Sequence, residues 1–249
     1  MDERFSRMAL LYDETALARL SSAHVAVFGV GGVGGYAVEA LARSGVGAMT
    51  LVDHDTVSLT NLNRQIIALE STLGRYKVDA AAERIRQINP DCRLTLRREF
   101  FLPENEASFD FSQYDYVVDA IDTVAGKLAL VRCAQAAGTP ILSALGTGNK
   151  RDPGKLRVAD IHKTSVCPLA RVMRRECRKR GIARLKVVYS EEEPLDPQPA
   201  LEAALLEESR ASGSTRRSIP GSTAFVPAAA GLLIAAEVVK DLTAEQNGG

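Results

Sequence analysis

The chain has 249 residues, and its 31 Lys and Arg residues balance 31 Asp and Glu residues, for a formal net charge of zero. A chain of this length folds as one large domain or as a core domain with an extension, and it needs no metal or disulfide to stabilise its core. Hydrophobic residues at 46% and charged residues at 25% exclude a disordered chain. Zero net charge excludes a polycation that binds nucleic acid over its whole surface, but it allows a local basic patch.

The cysteines and the apolar segments exclude further classes of protein. Cys92, Cys133, Cys167 and Cys177 are widely spaced without a C-x-x-C pair, which argues against a structural zinc site and a disulfide framework. The charged N-terminus has no apolar core of a secretory signal. The apolar run Ala224–Val239 is too short to span a bilayer, so it predicts a core or interface helix. We expect a cytoplasmic protein without membrane contact.

Predicted strands and helices alternate through residues 1–150. Short apolar and β-branched runs predict five strands, which are His24–Val30, Met49–Asp53, Arg93–Phe101, Tyr116–Ile121 and Pro140–Leu145. Apolar residues at helical spacing predict three helices, which are Val33–Arg43, Gly74–Asn89 and Ala125–Ala137. This alternation indicates an α/β fold, a Rossmann-like, doubly wound and mostly parallel sheet with helices on both faces.

Residues 151–249 differ in character, and we interpret them as an extension that contains strands and a closing helix. Leu156–His162 predicts a further strand. Arg171–Lys186 then holds eight cations against one acid, whereas Glu191–Glu208 holds seven acids and no cation. Ser209–Ser222 is rich in Ser, Gly and Arg and predicts a mobile loop. The charges that cancel over the whole chain are therefore strongly segregated within it.

A glycine-rich loop directly follows the first predicted strand. Gly29, Gly31, Gly32 and Gly34 fit the pattern G-x-G-x-x-G, whose glycines permit a tight turn and a close approach of backbone N–H groups to a phosphate. Asp53 ends the second strand, where a carboxylate accepts hydrogen bonds from a ribose. The pattern predicts a nucleotide site but does not separate NAD from ATP. Glycines used only for helix–strand packing are the alternative.

Polar residues just past other strand ends favour phosphoryl or nucleotidyl transfer over hydride transfer. Cations there would stabilise charge that develops on phosphates, and a carboxylate would hold Mg²⁺. Taken singly, three of these residues have structural alternatives: a solvated Lys77, a helix N-cap at Asp122 and a surface ion pair at Arg64. The candidate residues are Asp55, Asn61, Arg64, Gln65, Lys77 and Asp122.

The combination of motifs resembles a known family. GVGGVG, DHDTVSLTNLNRQ, GRYKV, VVDAID, the Asn89-Pro90 pair and the N-terminal RFSR are similar to the ThiF/HesA/MoeB-like adenylating enzymes, which are of the ubiquitin-activating type. The resemblance covers residues 1–150, which it identifies as an ATP-binding adenylation core. Thr123 departs from the pattern, because many members have Asn after the aspartate that corresponds to Asp122.

The resemblance implies a role for each matching residue. The loop glycines would line the ATP phosphates, Asp53 would hold the ribose, and Asp122 would position Mg²⁺. The family is also dimeric, which implies a homodimer in which Arg7 reaches the ATP site of the neighbouring subunit. The implied phosphate contacts come from Asn61, Arg64 and Lys77.

The second half resembles one branch of this family. Cys167–Ile182, KVVYSEEEPL and GSTAFVPAAAGLLIAAEVVKDL are similar to the tRNA threonylcarbamoyladenosine dehydratases. This implies an ATP-dependent cyclisation through an acyl-adenylate, tRNA as partner and a monovalent cation, Na⁺ or K⁺; it leaves open whether sulfur-transfer proteins take part. Residues 151–249 would bind tRNA, with the basic stretch as an electrostatic footprint. A solvated helix face is the alternative. The candidate tRNA contacts are Arg171, Arg174, Arg175 and Arg178.

Three other functions remain as alternatives. One is an activating enzyme for a ubiquitin-like sulfur-carrier protein, whose members commonly carry two C-x-x-C zinc pairs that this chain lacks. Another is an NAD-dependent oxidoreductase, which is disfavoured because the chain offers no separate substrate domain and only three histidines. The third is a catalytically silent nucleotide-binding protein. Cys167 is expected to be a buried, inert thiol, since adenylation needs no thiol.

Overall fold

The computed structural model describes residues 2–211 and 219–244 of the chain. Short 3₁₀ turns join its regular elements. The strands are β1 (His24–Phe28), β2 (Ala48–Val52), β3 (Arg93–Arg97), β4 (Tyr116–Asp119), β5 (Ile141–Ala144), β6 (Leu156–Asp160) and β7 (Lys186–Ser190). The helices are α1 (Glu14–Ser22), α2 (Gly34–Arg43), α3 (Lys77–Ile88), α4 (Val124–Ala137), α5 (Pro168–Lys179), α6 (Pro199–Ala211) and α7 (Phe225–Thr243).

The seven strands form one sheet in the order β3-β2-β1-β4-β5-β7-β6. All neighbouring pairs are parallel except β6 and β7, which are antiparallel. The prediction of a Rossmann-like, mostly parallel sheet is confirmed. The strand order reverses between β1 and β4, and ligands of such sheets bind at the carboxyl ends of the strands beside that reversal.

Successive residues of β1 enter two different cores, as a sheet covered on both faces requires. Val25 and Val27 belong to a core cluster that also contains residues of α2, α3 and α7. Ala26 and Phe28 belong to a second cluster with α4 and the aromatic rings of the segment before β4. In that second cluster the ring of Phe28 lies 5.1 Å from the ring of Phe101.

Helix α7 packs directly on the first βα unit. A Cβ on Gly231 would lie 2.3 Å from the carbonyl oxygen of Val33, so only glycine permits this approach of α7 to α2. The prediction of a core or interface helix for Ala224–Val239 is confirmed, because Val226, Ile234 and Val238 are fully buried. Among the described residues, no helix combines the length and the apolar character needed to cross a membrane.

Some predicted boundaries are wrong, and some elements have no predicted counterpart. The strands predicted to reach Phe101 and Ile121 end at Arg97 and Asp119, because the chain turns at the carboxyl edge of the sheet. The elements without a predicted counterpart are α1, β7 and α6. Residues 212–218, the middle of the predicted mobile loop, lie outside the described residues. The extension from residue 151 continues the same sheet, since β7 pairs with β5.

Candidate functional site

Two glycines of the loop between β1 and α2 are required by contacts within the protein. Gly29 has a φ of +90°, and a Cβ at this position would lie 2.6 Å from the carbonyl oxygen of Ala120. A Cβ on Gly34 would lie 1.8 Å from the carbonyl oxygen of Gly29. A side chain at either position would therefore push the ends of β1 and β4 away from the start of α2.

The other two glycines of the motif face a more open space. A Cβ on Gly31 would have only Gln65 within 4 Å, with its Nε2 at 3.9 Å. A Cβ on Gly32 would lie 3.3 Å from the Cβ of Pro227 and 3.6 Å from the Cγ of Arg64. Packing within the chain does not explain the glycine at position 31. The open space at the N-terminus of α2 is compatible with an anion, because backbone N–H groups must approach the oxygens of an anion closely.

Asp53 connects the glycine loop to the segment after β2. Its Oδ2 accepts a hydrogen bond from the backbone N–H of Val30 at 2.7 Å, and its Oδ1 accepts one from the N–H of Asp55 at 2.9 Å. Both carboxylate oxygens are held in place by these bonds and retain further lone pairs. The carboxylate is therefore fixed beside the loop where the sequence predicts a ribose contact.

Lys77 is buried at the start of α3 and paired with an acid. Its Nζ lies 2.6 Å from Oδ2 of Asp55, and its backbone N–H donates to the carbonyl oxygen of Asp55 at 3.0 Å. Lys77 is only 6% exposed, which excludes the alternative of a solvated helix residue. Asp55 also lies 3.1 Å from the imidazole of His54. Asp55 thus holds the ammonium group of Lys77 at the carboxyl edge of the sheet.

The segment between β2 and α3 places the remaining predicted groups near the glycine loop. Nη1 of Arg64 donates to the carbonyl oxygen of Thr60 and to Oδ1 of Asn63, both at 2.8 Å. Asn61 is buried, and its Oδ1 accepts the N–H of Ser58 at 3.2 Å, so it shapes the turn that carries Arg64. Gln65 is buried, and its Oε1 has no hydrogen-bond partner within the part of the chain that the structure describes.

Asp122 lies in the turn after β4, one residue past Ile121, whose backbone nitrogen would lie 3.1 Å from a Cβ on Gly29. It is exposed, and the N-cap of α4 is Thr123, so the alternative of Asp122 as that N-cap is wrong. Oγ1 of Thr123 is buried and has no hydrogen-bond partner among the described residues. An accessible carboxylate next to a buried, unpartnered hydroxyl offers the hard oxygen donors that Mg²⁺ prefers.

At the reversal point of the sheet, Arg64 and Gln65 therefore lie next to the glycine loop. Hydrogen bonds through Asp53 and Asp55 connect Lys77 to the same loop. Residues 5–248 match the ThiF family. The chain belongs to the ThiF family. The match spans nearly the whole chain, so both the predicted core and the extension lie within it.

Within the ThiF family, the chain is similar to proteins named tRNA threonylcarbamoyladenosine dehydratase. A tRNA threonylcarbamoyladenosine dehydratase of Bacillus subtilis is 42% identical over 244 residues, which cover 97% of this chain and 95% of the relative. The enzyme of the same name from Escherichia coli is 46% identical over 172 residues, 69% of this chain and 64% of the relative. The crystal structure of E. coli TcdA in complex with ATP matches with a TM-score of 0.85 at 36% identity, covering 99% of this chain and 97% of that one.

The cations of the predicted tRNA contact lie on α5, the amphipathic helix of this ThiF-family chain. Arg171, Arg175 and Arg178 are exposed, opposite a buried face. Arg174 is half-buried, and its Nη1 donates to the carbonyl oxygen and to the hydroxyl of Thr164. The structure therefore separates one cation that ties α5 to the preceding turn from three that are exposed to solvent.

The start of α5 lies beside the loop after β5. Cys167 is the N-cap of α5 and is 1% exposed, in agreement with a buried thiol. A Cβ on Gly146 would lie 3.1 Å from the Cys167 sulfur, which shows how closely the two segments approach. Gly146 follows β5, the neighbour of the strand that leads to Asp122. The basic helix therefore begins next to the carboxyl edge of the sheet.

Several residues around this ThiF-family site have no counterpart among the predictions. Nδ2 of Asn63, next to Arg64, donates to the carbonyl oxygen of Ser222 at 3.0 Å. Oδ1 of Asn149 accepts the N–H of Gly221 at 2.6 Å, so the segment before α7 is tied to both sides of the site. Lys127 is completely buried within α4. The sequence signal that could have indicated its burial is a lysine at helical spacing from the apolar residues Val131 and Ala134.

Proposed function

We propose that this protein is an ATP-dependent dehydratase that acts on the threonylcarbamoyl group of a modified adenosine in tRNA. The observation that carries the proposal is the similarity to dehydratases along 97% of the chain, combined with a nucleotide site built from the chain's own residues. The space over Gly31, the fixed carboxylate of Asp53 and the buried Lys77 support ATP as the nucleotide.

The proposed reaction has two chemical steps. A carboxylate oxygen of the threonyl group forms a bond to the α-phosphorus of ATP, and the bond to the leaving pyrophosphate breaks. A nucleophile of the carbamoyl group then attacks the activated carbonyl carbon, AMP leaves, and the loss of one proton completes the ring. The net change in the nucleoside is the loss of one water, and positioning supplies much of the rate because the closure is intramolecular.

We assign different roles in the first step to the residues at the carboxyl edge. Arg64 and Lys77 would stabilise the charge that develops on the transferred phosphoryl group, and Asp53 would hold the ribose. Asp122 would hold Mg²⁺, which supplies Lewis-acid stabilisation of phosphate oxygens. Asn61 shapes the loop that carries Arg64.

A monovalent cation has weaker support than Mg²⁺. The described residues contain one group of possible metal ligands, Asp53, His54 and Asp55. Asp53 already accepts two backbone N–H bonds, and Asp55 is paired with Lys77. A cluster with an imidazole and a competing ammonium does not fit Na⁺ or K⁺, which prefer oxygen donors. A requirement for Na⁺ or K⁺ therefore rests only on the resemblance to the dehydratases.

We further propose that the protein acts as a homodimer in the cytoplasm, with residues 1–150 as the adenylation core and the later residues as the tRNA-binding part. Arg7 is exposed on the N-terminal segment, which also presents Leu10 and Leu11 at 80% and 83% exposure. Large exposed apolar side chains beside an exposed cation are suited to an interface with a second copy of the chain. Mixed dimers of Arg7→Ala and Lys77→Ala chains should recover part of the activity that each variant lacks alone. Involvement of sulfur-transfer proteins stays a prediction.

The tRNA would bind along the exposed face of α5. Charge reversal of Arg171, Arg175 and Arg178 should lower tRNA affinity and reduce the slope of log affinity against log salt concentration by about 2, as expected for the loss of three phosphate contacts. Arg86→Glu, an exposed helix arginine in α3, is the control and should leave the slope unchanged. Equal slopes for the triple variant and the native protein would contradict the proposed footprint.

The direct test of the proposed function is mass spectrometry of the nucleoside after incubation with ATP and tRNA that carries threonylcarbamoyladenosine. We expect the modified adenosine to lose the mass of one water and AMP to accumulate. AMP that forms only with a small carrier protein would support the carrier-activating alternative instead. The chain lacks that enzyme's paired zinc cysteines, and its Cys92, Cys167 and Cys177 are buried.

A further inference from the structure

A completely buried ion pair lies beneath the proposed nucleotide site. Lys127 of α4 and Asp119, the last residue of β4, are both 0% exposed. Nζ of Lys127 lies 3.0 Å from Oδ1 of Asp119 and donates a second hydrogen bond to the carbonyl oxygen of Ala144 at 2.7 Å. Neither residue contacts solvent, so neither can bind nucleotide or tRNA directly.

The pair is connected to the turn that carries Asp122. Oδ1 of Asp119 also accepts the backbone N–H of Ile121 at 3.3 Å, one residue before Asp122. The intervening Ala120 is the residue whose carbonyl oxygen leaves no room for a Cβ on Gly29. A shift of the Asp119 carboxylate would therefore move Asp122 relative to the glycine loop.

The ammonium group of Lys127 also contacts the end of β5, on the other side of the site. Ala144 is the last residue of β5, and the loop that follows it passes Gly146, which lies against Cys167 at the start of α5. Lys127 thus joins the end of β4, the end of β5 and the first turn of α4. These segments lead to the proposed Mg²⁺ ligand and to the proposed tRNA side of the site.

Stability alone is a poor explanation for this pair. Replacing a buried ion pair with apolar side chains is often neutral or stabilising. A contribution to stability therefore does not explain why both charges are present. Its hydrogen bonding is also incomplete, because Oδ2 of Asp119 and Oγ of the neighbouring Ser143 are buried without a partner among the described residues. A carboxylate that must orient a neighbouring turn is a better reason to retain both charges.

We propose that Lys127 and Asp119 are positioning residues that fix the turn of Asp122 relative to the glycine loop and to the loop after β5. The inference rests on the proposed function, in which Asp122 holds the Mg²⁺ of the ATP complex. It assigns a role in the reaction to two residues that touch neither ATP nor tRNA.

The test compares Lys127→Met, Asp119→Asn and the double variant with the native protein. The readouts are the thermal midpoint and the Mg²⁺ concentration that gives half the maximal rate of tRNA-dependent AMP release at saturating ATP. Lys186→Met, which removes a paired lysine at the opposite edge of the sheet, is the control. We expect each single variant to need at least tenfold more Mg²⁺, and the control to differ from the native protein by less than twofold.

The double variant distinguishes a positioning role of Lys127 and Asp119 from a purely stabilising role. It removes both buried charges, so we expect its thermal midpoint to recover relative to the single variants while its Mg²⁺ requirement stays raised. A double variant with the native Mg²⁺ requirement and rate would overturn the inference. Asp122→Asn distinguishes this failure from a failure of the proposed function. A native protein that releases no AMP with tRNA, or an unchanged Mg²⁺ requirement in Asp122→Asn, would overturn the site assignment itself.

Discussion

The two edges of the sheet differ in whether their polar groups have hydrogen-bond partners. At the amino edge, Nζ of Lys186 donates to the two carboxylate oxygens of Asp241 at 2.8 and 2.7 Å and to Glu237 at 3.1 Å. The hydroxyl of Tyr116 donates to the same Asp241 at 2.7 Å. This network joins β4, β7 and the last turns of α7, and each of its members has a partner.

The carboxyl edge leaves polar atoms without partners. Every buried side-chain nitrogen or oxygen that lacks a hydrogen bond among the described residues lies in a strand end or loop on this side of the sheet. Such atoms cost free energy in a folded protein unless something else binds them. The difference agrees with the proposed roles of the two edges, which are stability at the amino edge and ligand binding at the carboxyl edge. The unpartnered atoms belong to Gln65, Asp119, Thr123, Ser143 and Thr223.

The largest expected effect comes from removing the charged groups of the carboxyl edge. We expect Lys77→Ala and Asp122→Ala each to lower the rate of AMP formation by about 100-fold or more, because each removes electrostatic stabilisation of the transferred phosphoryl group. Circular dichroism should show an intact fold in both variants. Full activity in both would contradict the assignment of this edge as the reaction site.

The next largest effects are expected in the glycine loop. One of its glycines is required for packing and another is not, so stability and ligand binding can be compared within a single motif. Gly34→Ala should destabilise the fold by about 3 kcal/mol, because its Cβ would overlap the backbone of Gly29. Gly31→Ala should change stability by less than about 0.5 kcal/mol, since its Cβ meets open space. It should nevertheless weaken ATP binding by about tenfold, measured by calorimetry, which is a loss of about 1.4 kcal/mol. Similar thermal midpoints for the two variants would refute this division.

At the amino edge, a substitution should affect stability without affecting chemistry. Burial lowers the pKa of Lys186, but its hydrogen bonds to Asp241 and Glu237 outweigh that effect, and the pKa is raised overall. We expect Lys186→Met to cost about 1 kcal/mol in denaturant unfolding, a modest figure because the side chain is about one-third exposed. The rate of AMP formation should not change. A lowered rate in a folded variant would mean that the two edges are coupled.

The smallest effect concerns a carboxylate between two helices, and it depends on pH. Burial raises the pKa of Glu39, but hydrogen bonds from Arg84 and Arg43 outweigh burial and lower the pKa overall. The stability that Glu39 contributes is therefore present at neutral pH and is lost as pH falls below about 4.5 through the lowered pKa. Glu39→Gln should cost less than about 1 kcal/mol at pH 7. Urea unfolding of both proteins at pH 7 and pH 3.5 should show the difference shrinking with acid.

The sequence predicted well what depends on local patterns. Strand–helix alternation indicated the sheet, and residues that follow strands, such as Asp53 and Asp122, lie at its carboxyl edge as predicted. These predictions succeed because parallel strands bring their carboxyl ends to one edge regardless of the details of packing. The glycine motif lies between a strand and a helix, as predicted, and its role in binding nucleotide stays a prediction. Only the structure shows that Gly29 and Gly34 are required by packing whereas Gly31 is not.

Contacts between distant parts of the chain could not be predicted. The position of β7 between β5 and β6 depends on pairing across the sheet, which no local pattern encodes. The bond between Asn63 and Ser222 joins residues 159 positions apart. Arg174 has the same charge and spacing as its neighbours on α5, and only tertiary structure ties it to Thr164.

Helix α7 has a consequence for the order in which the protein folds. Its first turn places Pro227 against Gly32, and its last turns place Asp241 in the network of the amino edge. Gly32 and Pro227 are 195 positions apart in the sequence. Contacts between such distant segments form slowly, because a long loop of chain must close first. The docking of α7 on the glycine loop should therefore be a late step of folding, after the strands and helices of the first βα units have packed.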